Sequence, residues 1–572
     1  MIPTTGTGYD FVIDWGDGTL GSYSGTTPNP THTYTAAGDH KVTIMGSFPR
    51  FYMNNNATYK NKLIAVNQWG AMQRTSMQSA FYGCSNLQIL ATDTPDLSQV
   101  TNMQYMLYGT TNLTGNFSGW DTSNVTVMSV LFGAAIHFNQ DLSTWDVSNV
   151  TDMSNMFVNA TNFNQDLSTW DTSKVTTMQQ MFNGATDFNG DVSTWDVSNV
   201  TTMLGMFNGA ANFNGDLSNW DVSKVTLMPT MFQSATLFNS DLSNWDVSKV
   251  TNMMSMFNSA KNFTSDLSGW DVSKVTTMQA MFNNANSFTS DLSGRDVGNV
   301  TTMFNMFSNA TLFNSNLSGW DTSKVTTMQG MFNNASNFNQ DLSTWDVTKV
   351  TTMTNMLNNT ALSTYNYNAI LNGRSKQNVL NNVVFRASPT KYGGCEVNGP
   401  AGIAGHNKLI SDKGWTITDG GLAGCAVTAS VAYVPSTATN TDVTATLTLN
   451  MTGSVTLSGR TQVNATTFTK VYTGNDSETV TFESIYGYTG DILVEVTRID
   501  KTPPTCSIDY TPTTDTNQDV VAALTGCSEA VIVTNTSFTP CQGGASEVSG
   551  GLCTFTGNDT FTFNFTDAYG NT

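Results

Sequence analysis

Across more than 200 residues, the apolar positions of this chain fall into one pattern that returns every 25 residues. In the copy "DLSTWDVSNVTDMSNMFVNA", residues 141 to 160, two periods can be read. Trp145 and Val147 alternate with Thr144, Asp146 and Ser148, the period of a half-buried strand. Val150, Met153, Met156, Phe157 and Ala160 then follow at i, i+3, i+6, i+7 and i+10, one face of a short helix. The tryptophan register runs Trp120, Trp145, Trp170, Trp195, Trp220, Trp245, Trp270, then Arg295, then Trp320 and Trp345. With fainter copies at Asp96 and at Met77 to Phe81 there are about twelve units, each of which can bury its apolar face only against the next. The pattern predicts an α/β solenoid of the leucine-rich-repeat type, a parallel sheet with one short helix per 25-residue unit, flanked by all-β sandwich modules.

Most of the 28 methionines occupy the two predicted helix positions of the repeat. A copper or haem site needs ligands that converge, whereas these follow a line along the stack, so they are read as core filling beside the Trp and Phe ladders.

If Trp and Val face inward, the outward positions carry the candidate chemistry. The main ladder is Asp96, Asp121, Asp146, Asp171, Asp196, Asp221, Asp246, Asp271, Asp296, Asp321 and Asp346. Carboxylates spaced about 5 Å apart repel by roughly 0.8 kcal/mol even at the dielectric of water, so something offsets the stack. One offset is local, an Asx-type turn in which each Asp accepts backbone N–H bonds. The other is a ligand, either calcium or a basic partner surface. Lys174, Lys224, Lys249, Lys274, Lys324 and Lys349, three residues after their Asp, would neutralise part of the charge. In a second line, Asp141, Asp166, Asp191, Asp216, Asp241, Asp266, Asp291 and Asp341, Asn116 and Asn316 stand in register, so hydrogen bonding matters there more than charge. Asn139, Asn164, Asn189, Asn214, Asn239, Asn314 and Asn339 suit an internal amide ladder that satisfies turn backbone. "DLSGRDVGNV" breaks the rule with Arg295 and Gly298, and its arginine stem is expected to cover the vacated core with the head turned out to solvent.

Composition narrows the function. The chain is 12% charged and 11% aromatic, which favours ordered modules. A net charge of −20 disfavours nucleic acid and anionic lipid surfaces. No run of 18 apolar residues exists, so no membrane insertion is expected, and "MIPTTGTGYDF" lacks the basic and apolar parts of a signal peptide. His32, His40, His137 and His406 are scattered, no GxSxG or HExxH pattern occurs, and each abundant carboxylate belongs to a repeat, so no catalytic residue is assigned. Cys84 stands alone as a small buried thiol. Cys395, Cys425, Cys506, Cys527, Cys541 and Cys553 cluster in the last third, which points to disulfides and an oxidising, extracellular setting. The preferred pairs are Cys506 with Cys527 and Cys541 with Cys553. No cofactor is expected, with calcium as the alternative.

"AFYGCSNL" at 80 to 87, followed by the "VTxMxxMF" and "FNxDLSxWDVS" units, resembles the BspA-like leucine-rich repeat proteins of bacterial surfaces. The resemblance covers roughly residues 60 to 423 and implies attachment at the cell surface and binding to host or matrix proteins, without enzymatic activity. Residues 11 to 44, "FVIDWGDGT…THTYTAAGDHKVTI", resemble the second half of a PKD-type β-sandwich. Asp14 and Asp17 there are calcium candidates, set against an ordinary hairpin turn. Downstream, "YVPSTATNTDV" from Tyr433 matches "YTPTTDTNQDV" from Tyr510, two modules with the strand pattern of immunoglobulin-like folds.

The expected organisation is therefore a partial PKD-like module at 1–50, the repeats at 51–360, their C-terminal cap at 361–423, and immunoglobulin-like modules at 424–500 and 501–572. The second of these reads as incomplete, and the chain as an excerpt of a longer protein whose anchor and signal lie elsewhere. The expected function is a non-enzymatic secreted or cell-surface protein that binds an extracellular protein or glycan through the repeat face, with the sandwiches as a stalk. The alternative is a self-assembling matrix or fibre subunit.

Overall fold

The structure is a computed structural model that describes residues 1–394, 398–424, 427–450, 453–455, 459–484, 488–511, 520–533, 541–542, 552–555 and 564–572. The chain divides into two compact units, Met1–Ala423 and Gly424–Thr572.

The first unit begins with an antiparallel sheet of β1 (Tyr9–Asp14), β2 (Leu20–Gly25) and β3 (Thr43–Ser47), ordered β2-β1-β3. Alternation along β1 sends Tyr9, Phe11 and Ile13 to one side, where they meet Trp15 and Phe48 in a small core. β4 (Ala65–Val66) and β5 (Gln88–Ile89) pair in parallel before the regular repeats.

The repeats do not form the expected leucine-rich-repeat solenoid. Among the described residues there are two α-helices, both after the last repeat, and the named sheets are small and mostly antiparallel. From residue 100 to 360 each unit is a succession of turns, joined to the next by single-residue parallel bridges such as Asp152 with Thr177 and Thr177 with Thr202.

The backbone shows why no helix forms. Met153, Asn155, Phe157 and Asn159 donate their N–H groups to Thr177, Gln179, Met181 and Asn183 of the next unit, at 3.2, 2.8, 2.8 and 2.6 Å. The amides between them close i→i−3 turns instead, Met156 on Met153, Val158 on Asn155 and Ala160 on Phe157. Asn155 and Asn159 lie in the left-handed region at φ 58° and 56°, so no i→i−4 ladder can run through the segment. Other copies place Gly184, Gly209, Asn284, Asn309 and Asn334 at the second of these positions, residue types that tolerate positive φ.

The predicted core set is buried nonetheless. Trp145, Val147, Val150, Met153, Met156, Phe157 and Ala160 all join one cluster that extends from Met53 to Trp415. Equivalent rings stack on each other: Phe157 on Phe182 at 5.4 Å, Phe163 on Phe188 at 5.9 Å, Trp170 on Trp195 at 6.1 Å. Each aromatic contact adds about 0.5–1.5 kcal/mol beyond area burial. The indole N–H is satisfied across units, Trp145 Nε1 donating to the Phe117 carbonyl at 3.0 Å and Trp170 Nε1 to Leu142 at 3.1 Å. Cys84 is buried and free, its thiol pushed up to about 12 by burial.

At Arg295 the indole ladder is interrupted. A cavity of about 20 Å³ opens among Leu267, Trp270, Met281, Leu292, Met306 and Trp320. The arginine head is not wholly turned out to solvent as expected: Nη1 donates to the Trp270 carbonyl and Nε is buried with no protein partner.

The stack ends on α1 (Thr364–Ser375), β6 (Val384–Arg386), β7 (Tyr392–Gly393), α2 (Gly399–Lys413), β8 (Thr416–Thr418) and β9 (Leu422–Ala423). Ser363 caps α1, its Oγ accepting from Asn366 N at 3.2 Å. The last repeat is closed by backbone and side chains together: Met353, Leu357 and Asn359 donate N–H to Val384, Arg386 and Ser388, while Gln377 donates Nε2 to the Trp345 carbonyl at 2.7 Å and accepts from Val347 N at 2.9 Å. Arg374 is fully buried over the Phe385 ring at 4.3 Å, with Nη2 3.6 Å from Met356 Sδ. Burial lowers its guanidinium to about 10.

The second unit holds antiparallel sheets. The first has the order β10-β11-β14-β13 (Ala429–Val434, Val443–Leu449, Thr467–Tyr472, Thr461–Gln462) and the next β12-β15-β16 (Gly453–Val455, Asp476–Ser484, Thr489–Val496). Beyond them lie β17-β18-β21-β20 (Ser507–Thr511, Val520–Thr525, Leu552–Phe555, Cys541–Gln542) and β19-β22 (Val531–Val533, Phe565–Asp567). Cys506 and Cys527 form a disulfide. Cys541 and Cys553 are register partners across β20 and β21, and their side chains lie outside the described residues, as do Cys395 and Cys425.

Restoring the ladder with Arg295→Trp should fill the cavity, supply an indole N–H to the Leu267 carbonyl and raise stability by about 2 kcal/mol. Thermal and denaturant melts check this, and a variant no more stable than the parent would show that the gap costs nothing. In the unaltered chain, amide exchange at 290–310 should be faster than in the neighbouring units.

Candidate functional site

The Asp ladder is exposed except at its ends, where Asp96 and Asp346 are half-buried, and every member serves the turn it begins. Ser148 N–H donates to Asp146 Oδ1 at 2.9 Å, and the same bond recurs from Ser123 to Asp121 at 3.1 Å and from Ser248 to Asp246 at 3.0 Å. Asp171, Asp196, Asp221, Asp271 and Asp321 accept from the serine two residues on, Asp96 from Ser98, Asp296 from Gly298 and Asp346 from Thr348. At Asp121, Asp171, Asp221 and Asp246 the serine hydroxyl first, and then the serine N–H, hold the carboxyl below its ordinary value. At Asp271 and Asp321 the N–H is the larger cause. Repulsion runs the other way and is smaller: Asp246 pushes Asp221 and Asp271 upward without reversing the net fall.

The second carboxylate line makes the same turn. Ser143 N–H donates to Asp141 Oδ1 at 2.8 Å, and Asn116 and Asn316 accept from Ser118 and Ser318, each at 3.0 Å. Asp166, Asp191, Asp216, Asp241, Asp266, Asp291 and Asp341 follow suit. An amide oxygen replaces a carboxylate oxygen because only an acceptor is needed.

One expectation needs correction and another is refined. The Asn ladder satisfies turn backbone, Asn164 N donating to Asn139 Oδ1 at 2.9 Å and Asn189 N to Asn164 Oδ1 at 2.8 Å, but it lies on the surface rather than inside. The ladder lysines offset part of the charge as expected, lowering Asp171, Asp221, Asp246, Asp271 and Asp321 as a lesser cause, but they do so without ion pairs: Lys174, Lys224 and Lys324 donate to Asn149, Asn199 and Asn299 of the preceding unit at 2.6–2.7 Å. None of the ion pairs among the described residues involves the Asp ladder. A further exposed row passed unremarked in the sequence. The threonine of each "VT" pair, Thr126, Thr151, Thr176 and their equivalents to Thr351, donates N–H and Oγ1 to the carbonyl of the threonine one unit earlier.

Asp14 Oδ1 accepts from Gly16 N at 2.9 Å, and Asp17 accepts from Thr19 and lies 2.7 Å from His32 Nε2. The Thr19 hydroxyl, followed by His32, lowers the Asp17 carboxyl to about 2. The hairpin turn accounts for both aspartates. Among the described residues, one acidic group has the donor count for a divalent cation, Asp500, Glu529 and Asp567, with oxygens within 4.8 Å of one another. Asp567 already accepts from Tyr569 N and Asn571 N at 2.8 and 2.9 Å, and Asp500 from Thr502 N at 2.9 Å. These three are far apart in sequence and follow no ligand spacing. In the cap, Tyr367 donates to Asp419 Oδ2 at 2.9 Å and His406 Nε2 lies 3.5 Å from the same oxygen, a buried chain that ties both helices to the strands. No helix is long and apolar enough to cross a membrane, among the described residues.

Stacked repeats with a locally satisfied acidic face define the class as a repeat protein. A family described as "Mycoplasma protein of unknown function, DUF285" matches residues 75–192, 160–270 and 256–372, together more than half of the chain. The chain belongs to this family. No curated protein and no solved structure matches it. Nothing in these findings supports a PKD-type or immunoglobulin-like kinship for the flanking modules.

Because an amide keeps the turn's acceptor but not the extra strength that the charge gives its bonds, Asp246→Asn should cost only roughly a few tenths of a kcal/mol, whereas Asp246→Ala should cost about 1 kcal/mol. Equal losses in both would show that the charge is what matters. The depressed carboxyls also fix a sign. Their stabilisation is full above the unfolded aspartate value of about 3.9 and is lost as pH falls through the lower folded values. Melting temperature should therefore drop below about pH 4. A rise on acidification would mean that repulsion along the ladder dominates.

Proposed function

We propose that this chain is a non-enzymatic protein of the BspA-like kind, secreted or displayed at a cell surface, that binds an extracellular protein or glycan through its repeat face. The observation that carries this reading is the fixed register of exposed groups. Asp and Thr rows repeat at every unit in the same orientation, while the apolar positions are consumed by the core. Equal spacing over many units suits a ligand that is itself repetitive or extended, because each weak contact is multiplied along the row. The Cys506–Cys527 disulfide supports an oxidising compartment.

The test is a binding screen of the purified chain against immobilised matrix proteins and glycans. Binding should weaken about tenfold in the triple variant Asp221→Asn/Asp246→Asn/Asp271→Asn, whose turns keep their acceptors and which should still melt cooperatively, only slightly below the parent. Absence of binding to every surface would overturn the reading. Concentration-dependent assembly into ordered polymers would favour the fibre-subunit alternative in its place.

A further inference from the structure

The cap contains a feature that the repeat face does not explain. In a chain of net charge −20, a cavity of about 280 Å³ between the C-terminal ends of α1 and α2 is lined by Lys376, Lys408 and Lys413 and by no carboxylate. Its polar wall is completed by Gln377 and Asn378, and Leu409 is among its apolar residues. Lys413 Nζ is held at 3.2 Å by Asn378 Oδ1. Lys376 and Lys408 are exposed and take part in no ion pair among the described residues. The nearest acid in sequence, Asp412, accepts from Ser411 Oγ at 2.7 Å and is not part of the lining.

Lysines at helix C-termini are ordinarily explained by the helix dipole, and Lys376 and Lys413 fit that account. The dipole does not explain why three lysines, the C-cap of α1 and two from α2, line one cavity. Nor does it supply a counter-charge for Lys408, a full turn before the end of α2. Three lysines around one cavity focus a positive potential, and the buried Val379 and Leu409 in its lining give a neutral ring apolar surface to meet. The volume sits near the lower end of small-molecule sites, about 300 Å³, which is a single sugar rather than a chain of them.

We propose that this cap cavity binds a monosaccharide-sized ester carrying a tetrahedral oxyanion, a sugar phosphate or a sugar sulfate. Lys376 and Lys408 meet the anion, and Lys413, positioned by Asn378, completes the charge. The site is independent of the repeat face, so either can fail without the other.

Isothermal titration calorimetry on the whole chain tests it, with glucose 6-phosphate and galactose 6-sulfate as probes and glucose and inorganic phosphate as controls. At least one ester should bind, and the tighter of the two identifies the source of the anion. Glucose should give no heat. Affinity should fall about tenfold in Lys376→Gln/Lys408→Gln, in which an unchanged melting temperature and unchanged amide exchange over 364–418 report an intact cap. In the unaltered chain, raising salt from about 0.05 to 0.5 M should weaken binding, because the lysines are partly exposed and screened. The proposal is overturned if neither ester binds at about 10 mM, or if the double variant binds as well as the parent. Inorganic phosphate binding as tightly as the esters would equally overturn the saccharide assignment.

Discussion

Alternate amides from Met153 to Asn159 have no acceptor in their own unit and find one only in the next. Left unpaired among buried side chains, each would cost roughly 1–3 kcal/mol, so a repeat of this kind cannot be a free-standing fold. The constraint reaches outward in both directions. It forces every copy into one register, since a one-residue slip would misplace the left-handed positions Asn155 and Asn159 and the indole bond of Trp145 together. It also demands an ending, which the Gln377 carboxamide and the strands of the cap provide after Trp345.

The same register creates the surface. Once the core fixes each unit, exposed residues fall into rows whether or not a ligand uses them. The Asp rows are held because each carboxylate accepts a turn N–H, often with a serine hydroxyl, and at Asp221 and Asp271 those bonds outweigh the neighbouring Asp246 charge. Lysines interleave through asparagine amides rather than through ion pairs, a surface arrangement that contributes little stability but spaces the charges. The exposed groups of these rows have a structural duty first.

Much of this was legible in the residues. The 25-residue period, the buried set, the solitary Cys84 and the acceptor role implied by Asn116 and Asn316 could be read directly. The helix could not, because spacings of i+3 and i+7 mark apolar faces both in a helix and in a string of turns closed by neighbours. The discriminating signal was present in Asn155, Asn159, Gly184 and Gly209, residue types that favour positive φ at positions where a helix would prefer Ala or Leu. The inward turn of the Arg295 head depends on the Trp270 carbonyl one unit earlier, a partner that no sequence pattern announces. The cap cavity was equally hidden, since Lys376 lies more than thirty residues from Lys408 and meets it only through the packing of α1 on α2.

The claim that register between units holds the repeats together is tested most directly by deletion. Removing residues 201–225, one whole unit, should bring equivalent donors and acceptors back into phase and leave a protein that melts cooperatively, slightly below the parent. Removing 201–212, about half a unit, should misalign every later bond and abolish the cooperative transition. Thermal melts that found the two deletions equally stable, or the whole-unit deletion unfolded, would contradict the account.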